Sequence, residues 1–183
     1  MSTDFFALAD AIAHKEQELH DLRRELSLLH ASPALPAGEC TLLRCRLKGY
    51  AVALLATEVD EVLNMAELVA SPSSPAWVMG LLSVGPRRIP VVDLLARESG
   101  VRRRADPAEF IVLARTRTGV CGLVMEAIDG LAQIESKEVY RPEPEVPFGA
   151  YVRGVVDIAG EPVLLVSAVS VLLPDAPVNV NTT

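Results

Sequence analysis

The sequence predicts a mainly β protein, built from two copies of a five-stranded unit and preceded by an N-terminal α-helix. First, apolar residues within 5–29 recur at alternating steps of three and four, which is typical of a heptad helix. Second, from Glu39 onward, short Val- and Leu-rich runs alternate with Gly, Pro and charged residues, which favours a barrel or sandwich. Third, the β region matches itself in several places, which indicates an internal repeat.

The first segment, residues 1–31, contains four heptads whose a positions are all apolar and whose d positions are apolar apart from Lys15. These positions are Phe5, Leu8, Ile12, Lys15, Leu19, Leu22, Leu26 and Leu29. The pattern predicts either an amphipathic helix packed on its own domain or a coiled coil, formed through residues 5–29 with a second copy or a partner. A linker with Pro and Gly, residues 32–38, ends the helix.

Ten strands are predicted in the β region, five in each half. The first five cover residues 41–47, 50–56, 61–68, 80–84 and 89–92, and the second five cover 109–114, 120–125, 130–136, 154–158 and 162–166. Lys48-Gly49 and Thr118-Gly119 are typical of tight hairpin turns. Short helices are predicted at 94–98, where Asp93 caps the start and Gly100 ends the helix, and at 168–173.

The internal repeat is clearest where an aromatic residue and Val precede Gly, because apolar runs alone align easily. Trp77-Val-Met-Gly80 matches Tyr151-Val-Arg-Gly154, and the same offset aligns 89–93 with 163–167. Upstream, 49–55 aligns with 119–125 and, after a one-residue gap, 59–62 with 128–131. Two such small units bury more apolar surface together than alone, and the groove between them is a natural partner site.

Composition excludes several functional classes. Acidic residues outnumber basic ones by 24 to 17, and the formal charge of -7 argues against nucleic acid or an anionic membrane as the main partner. The longest apolar run, 163–173, is shorter than the roughly 20 residues that span a bilayer. Three cysteines without CxxC spacing suit a reducing compartment. These two observations predict a cytoplasmic protein. Because no catalytic or metal-binding motif occurs, we also expect it to be non-catalytic and without cofactor or metal ion.

The order of the β-region motifs resembles that of CheW-like domains, which are adaptors of bacterial chemosensory systems. The motifs are Gly49-Tyr-Ala-Val-Ala-Leu, Val-x-Glu-Val at 59–62, Pro75-Ala-Trp-Val-Met-Gly-Leu-Leu, Ile89-Pro-Val-Val-Asp-Leu and a final Gly-x-x-x-x-Gly at 149–154. The resemblance covers residues 39–174 and implies two SH3-like five-stranded barrel lobes around a shared core. Lobe one would span about 48–105 and lobe two about 109–174, with strand 41–47 shared or swapped. The polar tail 175–183 is expected to be disordered.

The resemblance implies a non-catalytic adaptor that couples chemoreceptors to a CheA-type histidine kinase. Its expected partners are the regulatory domain of that kinase and the cytoplasmic tip of a methyl-accepting chemoreceptor. An alternative is a scaffold or decoy in a divergent pathway for motility, pili or gliding, in which the usual receptor contact is lost. An enzyme on an SH3-like scaffold is a third alternative, for which the sequence offers no catalytic residues.

The implied partner-binding residues are mainly in the first half. They are Val59, Glu61, Val62, Ser83, Val84, Arg87, Arg88, Phe110 and Ile111. For the apolar members, core packing is the alternative role. The family usually has Asn-(Leu/Ile)-Arg-Gly where this chain has Ser-Val-Gly85-Pro86, so the receptor-contacting Arg is replaced by Gly85. A guanidinium from Arg87 or Arg88 is a displaced substitute for it.

A structural role is expected for a second set of residues, namely Trp77, Gly80, Pro90, Asp93, Tyr151 and Gly154. The two aromatic residues are expected to anchor equivalent corners, and the two glycines to permit the local backbone geometry. Asp93 is expected to cap a helix rather than act as a catalytic acid. The run Arg102-Arg103-Arg104 is expected to be mainly solvated.

Overall fold

The computed structural model describes residues 35–71, 74–116, 119–143 and 145–171, all of which belong to one compact unit. The predicted heptad helix, the first part of the linker and the polar tail lie outside these described residues. The described residues comprise the β region and its two short helices.

Ten strands form two five-stranded mixed sheets, as expected for a mainly β protein built from two five-stranded units. In chain order the strands are β1 Glu39–Leu47, β2 Tyr50–Leu55, β3 Val59–Asn64, β4 Val78–Val84, β5 Arg87–Val92, β6 Phe110–Arg115, β7 Val120–Met125, β8 Ala127–Glu135, β9 Val152–Ile158 and β10 Glu161–Val166. Sheet A has the order β8-β1-β2-β10-β9, and sheet B has the order β3-β6-β7-β5-β4. Every ladder is antiparallel except β2 with β10 and β5 with β7.

The two halves of the repeat exchange their first hairpins. Sheet A joins the β1–β2 hairpin of the first half to β8, β9 and β10 of the second half, and sheet B joins β6–β7 to β3, β4 and β5. The expected lobes, 48–105 and 109–174, therefore do not coincide with the two sheets. A whole hairpin is exchanged in each direction, rather than strand 41–47 alone.

Strand pairing also corrects the alignment of the repeat. The β1–β8 ladder of sheet A and the β3–β6 ladder of sheet B are equivalent, and each contains a bulge. Next to the bulge, Cys45 pairs with Ile128 in sheet A, and Ala114 pairs with Val59 in sheet B. Across the hairpins, Cys45 pairs with Val52, and Ala114 pairs with Cys121. Val52 and Cys121 are therefore equivalent, which differs by one residue from the sequence alignment. With this register, the two halves align without a gap between β2 and β3, because the same number of residues separates each hairpin from the strand that follows it.

Three apolar clusters fill the fold. The central cluster lies between the exchanged hairpins and takes alternate residues from each, including Cys45 and Leu54 from one and Val112 and Leu123 from the other. The opposite faces of the same strands contribute to a second cluster in sheet A and a third in sheet B. Strands β2, β6 and β7 are buried on both faces, which explains why their sequences are nearly continuous apolar runs. In β1, by contrast, half-buried Arg44 and Arg46 alternate with buried apolar residues. Each fully buried Leu or Val stabilises the fold by roughly 1.5–3 kcal/mol.

The predicted turn and helix ends are confirmed at particular residues. Lys48 and Gly49 both have positive φ values, 51° and 76°, as a two-residue type I′ hairpin requires. The helix Leu94–Ser99 begins after Asp93, whose carboxylate accepts a hydrogen bond from the Leu95 amide at 2.9 Å. It ends at Gly100, which adopts the left-handed conformation with φ 71°. A second helical turn covers Ala168–Val171.

Candidate functional site

One candidate contact surface is the outer edge of sheet B. Within the described residues, β3 pairs only with β6, so one side of this strand carries no ladder. Glu61 is exposed, and Val62 keeps 37% of its surface in contact with solvent, whereas Val59 packs partly against the central cluster. Val62 pairs with Val112, and Phe110 lies two residues before Val112 on the same face of β6, where it is half-buried. Glu61 pairs with Leu113 and therefore lies on the opposite face from Val62. The edge thus presents a carboxylate on one face and apolar groups on the other, and an unpaired strand edge of this kind is a suitable docking surface.

Ile111 does not belong to this surface. Its side chain is fully buried in the third apolar cluster, where it packs in the interior of sheet B. Strand alternation explains the difference from Phe110, because neighbouring residues of β6 point to opposite faces. A direct contact role therefore does not apply to Ile111, and core packing accounts for it.

The β4–β5 hairpin carries the other predicted contact residues. Val84 pairs with Arg87, and the turn between them consists of Gly85, with φ 57°, and Pro86. A positive φ at the first turn position followed by proline fits a type II′ turn, in which glycine is favoured at that position. Position 85 thus carries no side chain, and the nearest guanidinium groups belong to the first two residues of β5.

Those two arginines differ in their partners. Ser83 pairs with Arg88, and the Arg88 guanidinium donates a hydrogen bond to the Ser83 hydroxyl. Arg87 is exposed and has no carboxylate partner among the residues that the structure describes. Both arginines line a groove of about 450 Å³ between the ends of the β4–β5 and β6–β7 hairpins. The remaining lining residues are Ile89, Pro90, Thr116, Gly119 and Val120.

Each sheet has a β-bulge next to an ion pair, at equivalent positions. In sheet B, Asp60 is the extra residue of the β3 bulge, and its carboxylate lies 2.6 Å from the Arg115 Nε. In sheet A, Asp129 occupies the equivalent bulge and lies 2.6 Å from the Arg46 Nε. These pairs fix the start of each edge strand against its neighbour, although exposed ion pairs contribute little stability.

The sheet A pair is extended by a second carboxylate. Arg46 donates to both carboxylate oxygens of Glu161, at 2.5 and 2.9 Å, and Arg44 approaches the same carboxylate at 3.4 Å. The hydrogen bond from Arg46 lowers the pKa of Glu161, and the same bond, followed by that to Asp129, raises the pKa of Arg46. Two guanidinium groups and two carboxylates thus form a charge-balanced cluster on sheet A.

The equivalent aromatic residues Trp77 and Tyr151 converge on one guanidinium. Arg97, in the short helix, lies with its Cζ 4.1 Å from the Trp77 ring centroid and 5.0 Å from the Tyr151 ring centroid. Its Nε donates to the Tyr151 hydroxyl at 2.5 Å, and its Nη1 donates to the carbonyl of Val171. The residue is only 9% exposed. Sequence reasoning found the two aromatic residues but missed the arginine between them.

The paired glycines Gly80 and Gly154 permit close approach of neighbouring segments. A Cβ on Gly80 would lie 2.8 Å from the carbonyl oxygen of Val69, and one on Gly154 would lie 2.3 Å from Cγ1 of Val139. In each case the neighbouring segment pairs with the glycine-bearing strand, through the isolated bridges of β4 and β9. Glycine is therefore required at these positions because there is no room for a Cβ, and not because the backbone has a positive φ.

Asp93 and half-buried Arg103 form an ion pair that was not predicted from the sequence. The Asp93 side chain is fully buried, and its carboxylate contacts the Arg103 guanidinium, which also lies 2.7 Å from Glu109. Arg103 thereby connects the start of the short helix to the residue before β6. One member of the predicted solvated arginine run is therefore structural, whereas Arg104 is exposed. The missed indication was the pair of acidic residues flanking the run.

Within the described ranges, the His, Cys, Asp and Glu side chains form no group of three or more that could hold a metal ion. No helix in the described part of the chain is long and apolar enough to cross a membrane. Cys40, Cys45 and Cys121 are buried free thiols, and burial raises the pKa of both Cys45 and Cys121 to about 12.

Comparison with known proteins gives concordant results. The family model described as "CheW-like domain" matches residues 41–175. A "Probable chemotaxis protein CheW" of Rhizobium etli is 27% identical over 119 residues, covering 64% of this chain and 75% of the relative. The "Chemotaxis protein CheW" of Rhizobium meliloti is 23% identical over 147 residues, covering 79% and 94% respectively. The crystal structure of the scaffolding protein TtCheW from Thermoanaerobacter tengcongensis superposes with a TM-score of 0.68 at 18% identity, covering 78% of this chain and 93% of that one.

Proposed function

Because the chain belongs to the CheW-like domain family, whose members are non-catalytic chemotaxis scaffolds, we propose that it is an adaptor that couples chemoreceptors to a CheA-type histidine kinase. The observation that carries this proposal is the edge of sheet B, which is unpaired within the described residues. Glu61 is exposed on one face of this edge, and exposed Val62 and half-buried Phe110 lie on the other. In the family resemblance, Glu61 and Val62 align with positions offered to a receptor helix, and Phe110 lies where members pack against the receptor or the kinase.

The proposed mechanism is docking without chemistry. The edge of sheet B packs against the cytoplasmic tip of a methyl-accepting chemoreceptor, and a further surface of the same domain binds the regulatory domain of the kinase. A receptor state that changes the affinity of one contact then changes the occupancy of the other, which is a coupling free energy between two sites. The heptad segment 5–29 is proposed as an accessory element, which pairs with a second copy or with a partner helix.

The turn between β4 and β5 supports a second candidate, a scaffold or decoy that has lost the usual receptor contact. Gly85 replaces the arginine typical of the family, and the guanidinium groups of Arg87 and Arg88 start from different backbone positions. A planar guanidinium recognises a carboxylate with directional hydrogen bonds, so a displaced one does not reproduce the same contact. In this case kinase binding persists and receptor binding is absent.

Calorimetric titration with the regulatory domain of a CheA-type kinase from the same organism tests the adaptor proposal. We expect saturable one-to-one binding, both for the full chain and for residues 39–183, which lack the heptad segment. Absence of heat with folded full-length protein would rule out kinase coupling. Binding that requires residues 1–38 would instead make the heptad segment the docking element.

The receptor contact is tested with a matched pair of substitutions. Val62→Arg places a charge on the free edge of sheet B, and Leu131→Arg makes the same change at the equivalent, 69% exposed position of sheet A. We expect Val62→Arg to weaken binding of a chemoreceptor tip fragment at least about tenfold, and Leu131→Arg to change it less than about twofold. Equal effects of the two changes would exclude the edge of sheet B as the specific contact. No binding by the unaltered chain would favour the scaffold reading.

A further inference from the structure

The repeat provides an internal comparison for the groove beside Arg87. The register makes Arg46 of sheet A equivalent to Arg115 of sheet B, because Arg46 pairs with Ala51 and Arg115 pairs with Val120 at matching points of the two hairpins. The β9–β10 and β4–β5 hairpins are likewise equivalent, since Glu161 pairs with Ile158 as Arg87 pairs with Val84. Arg87 therefore occupies the position of Glu161.

This replacement reverses the charge at one point of an otherwise repeated cluster. In sheet A, the carboxylate of Glu161 completes the hydrogen bonds of Arg46. In sheet B, Arg115 retains its pair with Asp60, but the second carboxylate is missing and Arg87 stands in its place. Among the residues that the structure describes, Arg115, Arg87 and Arg88 place three guanidinium groups at this end of sheet B, and Asp60 places one carboxylate there. Such an excess of positive charge is local, because the whole chain has a net charge of -7.

A second difference between the two halves concerns the residue immediately before β7. Gly119 occupies the position equivalent to Tyr50, because Thr116 pairs with Gly119 as Leu47 pairs with Tyr50. In sheet A, the ring of Tyr50 packs edge-on against Phe148, which lies in the segment before β9, with 6.1 Å between the ring centroids. Gly119 has no side chain at this position, and it lines the groove of about 450 Å³.

We infer that this groove binds an acidic segment of a partner protein, with a carboxylate of the partner taking the place that Glu161 fills in sheet A. The exposed Arg87 guanidinium is the group that would hold it, in a charge-assisted hydrogen bond. The half-buried lining residues Pro90 and Val120 offer an apolar surface to the residue next to the carboxylate. The inference rests on the proposed adaptor function, and it specifies the chemistry of one docking contact.

The test is a titration of the ¹⁵N-labelled full chain, followed by NMR, with the blocked peptide acetyl-Gly-Glu-Leu-Gly-amide. The same peptide with Gln in place of Glu is the ligand control. Arg87→Glu recreates the acidic side chain of sheet A, and Arg104→Glu, at an exposed position outside the groove, makes the same change in net charge. Retained peak dispersion shows that each variant is folded.

We expect the Glu peptide to shift the amide signals of Ile89, Gly119 and Val120. Affinity should fall at least about tenfold with the Gln peptide or with Arg87→Glu, and stay within about twofold in Arg104→Glu. The inference is overturned by unshifted groove amides up to about 5 mM peptide, or by equal shifts with the Gln peptide or in Arg87→Glu. Kinase or receptor binding that persists in that case would leave the adaptor function standing. Conversely, a specific peptide response without kinase binding would overturn the adaptor function alone.

Discussion

Replacing Arg97 with alanine removes the guanidinium that links the two halves of the repeat. The group contacts both Trp77 and Tyr151, at 4.1 and 5.0 Å from their ring centroids, and donates hydrogen bonds to the Tyr151 hydroxyl and the Val171 carbonyl. Each cation–π contact contributes about 1 kcal/mol at a mostly buried site, and each hydrogen bond from a charged donor about 1.5 kcal/mol or more. After the cost of desolvating the guanidinium is subtracted, Arg97→Ala should lower the free energy of unfolding by about 3 kcal/mol.

Urea unfolding measures this loss, followed by far-ultraviolet circular dichroism and by the fluorescence of Trp77, the only tryptophan in the chain. Arg97→Lys keeps the charge but loses the planar group that lies against both rings, so it should recover less than half of the loss. A double-mutant cycle with Tyr151→Phe isolates the contact to the hydroxyl. If the free energy of unfolding of Arg97→Ala lies within about 1 kcal/mol of that of the parent chain, the guanidinium does not stabilise the contact between the two halves.

Three further predictions follow from contacts in the β region. Gly154→Ala should cost about 2 kcal/mol in unfolding free energy, because its Cβ would overlap Val139, and the change Val139→Ala should restore much of the loss. Glu161→Gln should destabilise the chain at neutral pH but not in acid. The pKa of Glu161 is lowered by its hydrogen bond from Arg46, so its stabilisation is present above the ordinary value of 4.5 and disappears as pH falls through the folded value. Cys121, whose pKa burial raises to about 12, should resist iodoacetamide in the folded chain at mildly alkaline pH and react in denaturing urea, as read by mass spectrometry.

Each of these predictions has a control or a result that would contradict it. Gly149→Ala tests the glycine argument, because a Cβ there would lie at an ordinary 3.7 Å from Val146, and thermal unfolding should separate it from Gly154→Ala. An equal loss in both variants would contradict the steric explanation. A pH-independent effect of Glu161→Gln in urea titrations would show that the ion pair is not its cause. Rapid labelling of Cys121 under native conditions would mean that the central cluster opens without global unfolding.

Local sequence features determined most of the strand and helix predictions. The type I′ turn at Lys48-Gly49 and the cap and end of the short helix at Asp93 and Gly100 depend on neighbouring residues alone, and all were predictable. The exchange of hairpins was not, because two similar halves carry no local information about which copy of a strand pairs with which. Equivalent hairpins present nearly the same apolar faces, so the choice depends on chain connectivity and packing.

The candidate contact surface was predictable only in part, because local sequence features do not show which segments pack together in the fold. Alternation along β6 separates half-buried Phe110 from buried Ile111, but the sequence does not say which face of an apolar strand is covered. Arginine usually lies in solvent, and nothing next to Arg97 in the chain indicates its partner Tyr151, which is far away in sequence. Arg103 was missed as well, although acidic residues lie on either side of its run.

The exchanged hairpins have a consequence for the origin of this architecture. Each half of the repeat supplies a hairpin and a three-strand set that pair with the other half and not with each other. Two separate copies of a single half could therefore assemble the same two sheets as an intertwined homodimer, in the manner of domain swapping. Duplication and fusion of such a gene would turn that dimer into one chain. After fusion the halves no longer needed to match, so a glutamate in one could diverge to an arginine in the other, as Glu161 and Arg87 differ here.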